Sequence, residues 1–446
     1  MILISMCMAR FSPRFRLLCA LFFVLVLSIV SICYYLTRHY SKEWNYWKRL
    51  SKSEKYLAIE LEIERFGHRI FSPSPQPDLY AHVTPEKLDN SMRLGADWII
   101  SMQEPSGRFQ YWYDPILNEF SHKTDDNFLR QAGTSFSLML VYKMTADLRY
   151  LAAARQSISY LLQFKKQLDA DKAYFLFNDK AKLGGISLPM LTMLEMRRLT
   201  GSREFDDVLI ELANMILFLQ EKYQTGQYKS TYVYRGNYTY ERDTGWESRI
   251  YPGEALYALA KMYLVFGDDK YKYSMDWALE FYSRERWISQ AFLPWTISAF
   301  VSLYEQSGDL KYSEYAFKLS DRLLKQQNLD TKDTVYGSFH GIPSANTGSY
   351  MEALGDAVHL AKLVKDQPRL KLYCERAKIG YRWLLMLQYV KPELVDPDRF
   401  QKIAGGFRES LVKPRLRIDN TQHVISSFAK GLEFVFGIEP LLAPIQ

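Results

Sequence analysis

One unit recurs along this chain: an apolar helical stretch, a short polar turn, then a second stretch charged along one side. Five such pairs are legible, 127–144 with 148–164, 186–199 with 204–220, 252–266 with 270–284, 293–306 with 311–327, and 349–364 with 369–389. The turns within pairs are short, as in Lys143-Met-Thr-Ala-Asp147, Thr200-Gly-Ser202, Gly267-Asp-Asp269 and Ser307-Gly-Asp309. Helices joined this tightly lie antiparallel. Two stretches remain, 86–102 and 420–436, and they pair if the two ends of the domain meet. The first member of each pair is apolar all round, as Leu188, Met190, Leu191, Met193 and Leu194 show, so it is buried on both sides. The second carries charge on one face, as in Lys318, Asp321, Arg322 and Lys325. The expectation is an all-α fold, an (α/α)6 barrel of six helical hairpins with short β-hairpin loops. An open solenoid such as a tetratricopeptide array is the alternative, but its turns are short and regular, whereas the loops between these pairs are long.

The N-terminal part is different in kind. Leu17 to Leu36 is an uncharged run of 20 residues. As a helix it spans roughly 30 Å, the thickness of a bilayer core. No small-x-small cleavage site follows it, so it is expected to stay as an anchor rather than be removed. The expected organisation is a short tail over 1–16, a transmembrane anchor over 17–36, a juxtamembrane helix and Pro-rich linker over 37–83, and the toroid domain over 84–446. Phe71-Ser-Pro-Ser-Pro-Gln-Pro77 excludes helix in the linker. Thr84-Pro85-Glu86 reads as a helix start. Arginines flank the run on both sides and do not fix orientation. A short tail before a first anchor usually stays in the cytoplasm, which puts the large domain on the extracytoplasmic (periplasmic or luminal) side.

Residues 1–55 hold nine Lys/Arg and two acids, which accounts for the whole net charge of +7. The remaining residues balance, so the basic character reports the membrane flanks and gives no support for nucleic-acid binding. Of the 4 cysteines only Cys374 lies in the main domain, which excludes an internal disulfide and a multi-cysteine zinc site there. No phosphate loop, dinucleotide glycine fingerprint, HExxH or Gly-x-Ser-x-Gly elbow occurs, so no cofactor or metal is expected.

Polar and aromatic residues gather in the loops that precede the apolar helices. In Gly107-Arg-Phe-Gln-Tyr-Trp-Tyr-Asp-Pro115 the alternation of Phe109, Tyr111 and Tyr113 predicts a β-hairpin. Tyr111 and Trp112 offer flat rings that could stack on sugar faces or on partner surfaces. Asp126 precedes a helix that also carries Arg130, and it is either a site carboxylate or an N-cap. The stretch from Tyr232 to Glu254 holds Tyr234, Trp246, Glu247, Arg249 and Glu254. A carboxyl beside an aromatic wall has its charged form disfavoured, which makes Glu247 next to Trp246 a candidate acid. Glu254 follows Pro252-Gly253 at a helix start, where the dipole favours its ionised form. Trp295, Arg415, Arg417, Asp419 and His423 complete the set. Asp419 and His423 are four apart and share a helix face, so they can pair as acid and base. Glu352 and Asp356 are likewise four apart, either facing inward or solvated.

The hairpin count, with Arg130-Gln-Ala-Gly-Thr-Ser135, Tyr251-Pro-Gly-Glu-Ala255 and Arg417-Ile-Asp-Asn-Thr-Gln-His423, resembles the six-hairpin glycosidase-like superfamily over about Thr84 to Gly437. That superfamily includes glycoside hydrolases, unsaturated-uronide hydrolases, sugar 2-epimerases and the helical domain of glucuronyl C5-epimerases. The resemblance implies that the loops entering the inner helices floor one cleft. It implies a membrane-anchored carbohydrate-active enzyme acting on an oligo- or polysaccharide, of hydrolase or uronate epimerase/lyase type. Hydrolysis would use Glu247 with Asp126 or Asp419. Epimerisation or elimination would need a base that abstracts a sugar C–H proton, with Arg249, Arg415 or Arg417 neutralising a uronate, and tyrosine and His423 would then matter more. Tyr111, Trp112, Arg130, Tyr234, Trp246, Arg249, Glu254, Trp295 and Arg417 are the expected substrate-binding residues. The other reading is a non-catalytic glycan-binding or scaffolding subunit of an envelope polysaccharide system.

Overall fold

The computed structural model describes residues 83–445 apart from 222–223, 239–246, 285–288, 332–334, 340–344, 391–396 and 412. The expected tail, anchor and linker, and Trp246, lie outside the described residues. No helix among the described residues is long and apolar enough to cross a membrane.

Thirteen α-helices are described, in chain order α1 (Pro85–Ser101), α2 (Phe128–Thr145), α3 (Leu148–Leu162), α4 (Leu183–Thr200), α5 (Asp206–Glu221), α6 (Tyr251–Phe266), α7 (Asp269–Tyr282), α8 (Leu293–Ser307), α9 (Leu310–Leu324), α10 (Thr347–Leu363), α11 (Gln367–Leu385), the short α12 (Pro397–Ile403) and α13 (Ile418–Lys430). Helices α2, α4, α6, α8, α10 and α13 each pack on the next, and α13 packs back on α2, so an inner ring closes. The outer helices α3, α5, α7, α9 and α11 each follow an inner one, and α1 packs on α13. The first and last helices of the domain therefore make the sixth hairpin. The last helix ends in one π-helical turn, Gly431–Val435, inside the stretch read from the sequence as continuous helix.

The sharp reversal within three of the hairpins has a common local cause. Inner helices end on left-handed residues, Ala146 (φ 52°), Gly267 (φ 68°) and Gly308 (φ 67°). An aspartate follows each one and accepts a backbone N–H of the outer helix: Asp147 from Arg149, Asp268 from Lys270 and Asp309 from Lys311. The end of one helix and the cap of the next thus occupy two consecutive residues.

A second device ties outer helices to their neighbours at four junctions. Gln103, Gln220, Gln327 and Gln388 each donate from Nε2 to two carbonyls. One belongs to a left-handed glycine in the following loop, Gly107, Gly226, Gly337 and Gly405 in turn. The other belongs to an adjacent outer helix: Ala153, Ser274, Arg376 and Ser91. The clasp at Gln388 closes the ring, since Ser91 lies in α1. Gly405 (φ 84°) sits so close to α1 that a Cβ would overlap the Leu94 carbonyl.

Small strands line the rim at the N-terminal ends of the inner helices. β1 (Trp112–Asp114) pairs antiparallel with β2 (Glu119–Phe120), as the aromatic alternation predicts, and also with the late strand β8 (Leu416–Arg417). β3 (Lys165–Gln167) pairs with β4 (Ala173–Phe175). β5 (Lys180–Lys182) pairs with β6 (Thr231–Tyr234), which turns through Arg235-Gly236 into β7 (Asn237–Tyr238).

Gly405→Ala should destabilise the fold by at least about 2 kcal/mol, because it combines left-handed strain with a backbone clash at the closing clasp. Denaturant unfolding of the variant against the parent checks this, and an unchanged midpoint would contradict the role of the clasp.

Candidate active site

A cavity of about 290 Å³ opens at the N-terminal ends of the inner helices, and all six contribute to it or to its rim. Arg130 comes from α2, Leu188 from α4, Tyr251 and Glu254 from α6, Trp295 from α8, Ser349 and Tyr350 from α10, and Gln422 and His423 from α13. Lys182, just before α4, completes one wall. The size is close to the lower end for small-molecule sites, roughly 300–1,000 Å³.

Glu254 is buried in the first turn of α6, 5% exposed, with one carboxylate oxygen lacking any hydrogen-bond partner. Gly184 lies directly behind it, and a Cβ there would overlap that oxygen and crowd the Tyr251 ring. The helix dipole favours the anion at this position, but burial dominates. It pushes the carboxyl up to about 8, although Arg130 and Lys182 pull the other way. Glu254 is therefore a protonated acid at neutral pH.

His423 faces the same cavity. Its Nδ1 lies 2.8 Å from Glu352 of α10, and its ring sits 6.2 Å from that of Trp295. The expected pairing with Asp419 is replaced, because Glu352 projects inward from the neighbouring helix. With Nδ1 engaged by Glu352, Nε2 is the ring nitrogen left for the cavity. Asp356, one turn on, also faces inward and binds Lys430 at 2.6 Å.

Asp419 serves a different end. It is buried, chelated by Arg417 through Nε at 2.9 Å and through Nη2, and meets Arg130 Nε at 3.2 Å. Burial pushes its carboxyl up, but Arg130 and Arg417 outweigh that and hold it well below the usual carboxylate range. It is a fixed anion that aims two arginines. Arg417 lies over the Tyr111 ring at 5.6 Å and Arg415 over Trp112 at 5.7 Å, so the first loop and the last form one stacked patch.

The remaining candidates are engaged elsewhere. Asp126 accepts from Gln131 Nε2 (2.6 Å), the Tyr160 hydroxyl (2.9 Å) and the Asn127 N–H (2.8 Å). Asn127, not Asp126, caps α2. Glu247 is held by Lys182 at 2.8 Å and by the Thr231 hydroxyl at 3.0 Å, and it does not line the cavity. Arg249 is exposed on a 3-10 turn. Tyr234 lies between the cations of Lys180 and Arg235. Lys182, Tyr251, Tyr350 and the Glu352–His423 contact were not singled out from sequence. Among the described residues no cluster of three or more His, Cys, Asp or Glu could hold a metal.

No family model matches the chain, and no curated protein matches it in sequence. Solved structures do match in shape. The cellobiose 2-epimerase from Spirochaeta thermophila superposes with a TM-score of 0.57 at 13% identity, covering 82% of this chain and 100% of that one. An unsaturated glucuronyl hydrolase specific for heparin gives 0.56 at 11% identity, covering 80% and 99%. The α-1,6-mannanase from Salegentibacter sp. gives 0.52 at 13% identity, covering 77% and 98%. The described domain thus has the same fold as these structures, an (α/α)6 toroid of six helical hairpins. At these identities the likeness establishes fold alone.

The raised Glu254 carboxyl makes stability depend on pH. Its folded value is about 8 against an ordinary 4.5, so the unfolded chain loses this proton first as pH rises. Stability therefore falls between those values and levels off above the upper one. Glu254→Gln removes the effect. Its gain over the parent should be near zero below about pH 4 and on the order of 4 kcal/mol at pH 8. Thermal unfolding across that range checks it, and a pH-independent difference would contradict the protonated state.

Proposed function

We propose that this chain is a membrane-anchored, carbohydrate-active enzyme that moves a proton on a sugar held in the cavity. The observation that carries the reading is the presence of one unpartnered protonated carboxyl, Glu254, and one oriented imidazole, His423, in the same aromatic-walled hollow. A hydrolase needs two carboxylates flanking the glycosidic oxygen. Here Asp126, Glu247 and Asp419 are each satisfied by two or more donors, and none lines the cavity. Acid and imidazole together suit epimerisation or isomerisation of an open-chain sugar. His423 Nε2 takes the proton from the carbon beside the carbonyl, and the electron pair moves into a new C–C double bond. Glu254 gives its proton to the carbonyl oxygen, which yields an enediol. Return of the carbon-bound proton to the same carbon from the other face gives an epimer. Return to the neighbouring carbon gives the ketose or aldose, and Glu254 regains its proton from oxygen. Arg130, held toward the cavity by Asp419, offsets negative charge that builds on oxygen. A purely binding subunit would have no use for a buried acid left without a partner, which costs stability.

The experiment is proton exchange in D₂O, followed by NMR, with the full-length protein and a panel of neutral aldoses, uronic acids and their disaccharides. Solvent deuterium should enter the carbon next to the carbonyl. Glu254→Gln and His423→Ala should slow this by roughly 10²–10⁴-fold, the range for loss of a general acid or base. The rate should also fall tenfold per pH unit above about 8, where Glu254 ionises. Release of new reducing ends without exchange would point to hydrolysis instead. Binding with neither reaction would point to the scaffold reading.

We further propose that the run Leu17 to Leu36 anchors the domain on the extracytoplasmic side of a membrane, near the polysaccharide machinery of the envelope. Its length and lack of charge support this. Protease added to the cytoplasmic face of sealed inverted vesicles should leave residues 84–446 intact. Digestion there would overturn the orientation, and release by alkaline carbonate would overturn the anchor.

A further inference from the structure

The end of the ring opposite the cavity is built from the last turns of the inner helices and the first turns of the outer ones. Large apolar side chains are exposed there. Among the described residues the four most exposed are Leu148 and Leu441 at 67%, Tyr273 at 66% and Leu310 at 63%. Leu148 and Leu310 open α3 and α9, and Tyr273 lies in the first half of α7. Leu441 is fixed at this end by backbone. The next residue, Leu442, donates its N–H to the Lys143 carbonyl in the last turn of α2, and Ile445 donates to that of Arg198 in the last turn of α4. Ile445 and Leu363, the last residue of α10, are exposed as well.

The charges between these side chains close on one another. Leu148 and Leu310 each stand between an aspartate and a base, in Asp147-Leu148-Arg149 and Asp309-Leu310-Lys311. In both the aspartate pairs with that base, at 2.7 and 3.2 Å. Just beyond Leu363, Asp366 pairs with Arg369 at 2.8 Å. A scattered exposed leucine is ordinary, but several at one end of a domain mark a surface that meets something apolar. The route of the chain says what it meets. Helix α1 packs on the π-helical turn that ends the last inner helix, so its first residue, Pro85, lies at this same end. The residues before it join the ring from this side, and their sequence includes the uncharged run Leu17 to Leu36.

We propose that this face rests on the lipid bilayer, with Leu148, Leu310, Leu363 and Leu441 entering its interfacial layer and the cavity opening on the opposite side. The proposal rests on the anchor reading of Leu17 to Leu36. Because the charges are paired, the contact is apolar and needs no anionic lipid. The inner helices set the height of the cavity above the lipid: the 18 residues of α2, at about 1.5 Å each, give roughly 27 Å. A saccharide fixed to a lipid headgroup reaches Glu254 and His423 only if its chain spans that distance.

The test is photolabelling of the full-length protein in nanodiscs of phosphatidylcholine. A fraction of the lipid carries a diazirine near its headgroup, and the labelled peptides are read by mass spectrometry. Peptides holding Leu148, Leu310 and Leu441 should take up label about tenfold or more above those holding Phe120 and Tyr238, which are exposed at the cavity rim. The ratio should hold between about 0.05 and 0.5 M salt, since paired charges leave nothing for salt to screen. The triple variant Leu148→Ser, Leu310→Ser, Leu441→Ser should lose about fivefold or more of the far-end label with thermal unfolding unchanged, because these side chains are exposed. Equal label at the two ends, or far-end label that survives the triple variant, would overturn the proposal. Label within 17–36 reads the anchor separately. Its presence without far-end label keeps the anchor and sinks the docked face, and far-end label without it does the reverse. Absence of far-end label, together with self-association in detergent that the triple variant abolishes, would assign the face to a second copy of the chain instead.

Discussion

The ring holds together because its two ends meet. Gln388 reaches from the last loop to the Ser91 carbonyl of α1, and Trp98 Nε1 of α1 donates to the Lys402 carbonyl. The seam joins α1 to the last loop, while α13 packing on α2 closes the inner ring, so the starts of the six inner helices surround one hollow. The same glutamine–glycine device appears at three other junctions. It satisfies loop carbonyls that would otherwise be stranded among outer helices, where each unmet group costs about 1–3 kcal/mol.

Within this frame the chain accepts a local conflict at Glu254. Its helix start offers the dipole, its surroundings withhold water, and the second influence is larger. Gly184 is what lets the carboxyl fit, since any side chain there would occupy its position. Packing between α10 and α13 is similarly close. Gly348 lies against the backbone at His423, and Gly355 against the Lys430 side chain. That contact brings Glu352 within hydrogen-bond distance of His423 and Asp356 within reach of Lys430. Two successive polar contacts leave little freedom for the imidazole to turn.

The helices were legible because their apolar period is long and repeated, and the turns carry glycine and aspartate at fixed places. Even so, α4 begins at Leu183, three residues before the expected start, since Lys182 still belongs to a strand. The first aromatic hairpin was legible from alternation at Tyr111 and Tyr113. What sequence could not show was direction. Asp419 and His423 share a helix face, yet each finds its partner elsewhere, His423 with a residue 71 positions away. Glu247 looked the better acid because of an adjacent tryptophan, but Lys182 arrives from a paired strand and occupies it. The glutamine clasps stayed hidden because their glycines follow at intervals of 4, 6, 10 and 17 residues.

The order in which the groups occur along the polypeptide has a consequence during synthesis. Arg130 emerges first, Glu254 after it and His423 last of the three. A ribosome-bound fragment therefore has an arginine and an acid but no imidazole. The hollow is complete only once α13 has been made and docked between α2 and α10, so a product truncated before α13 has most of the helices of the fold without the closed hollow.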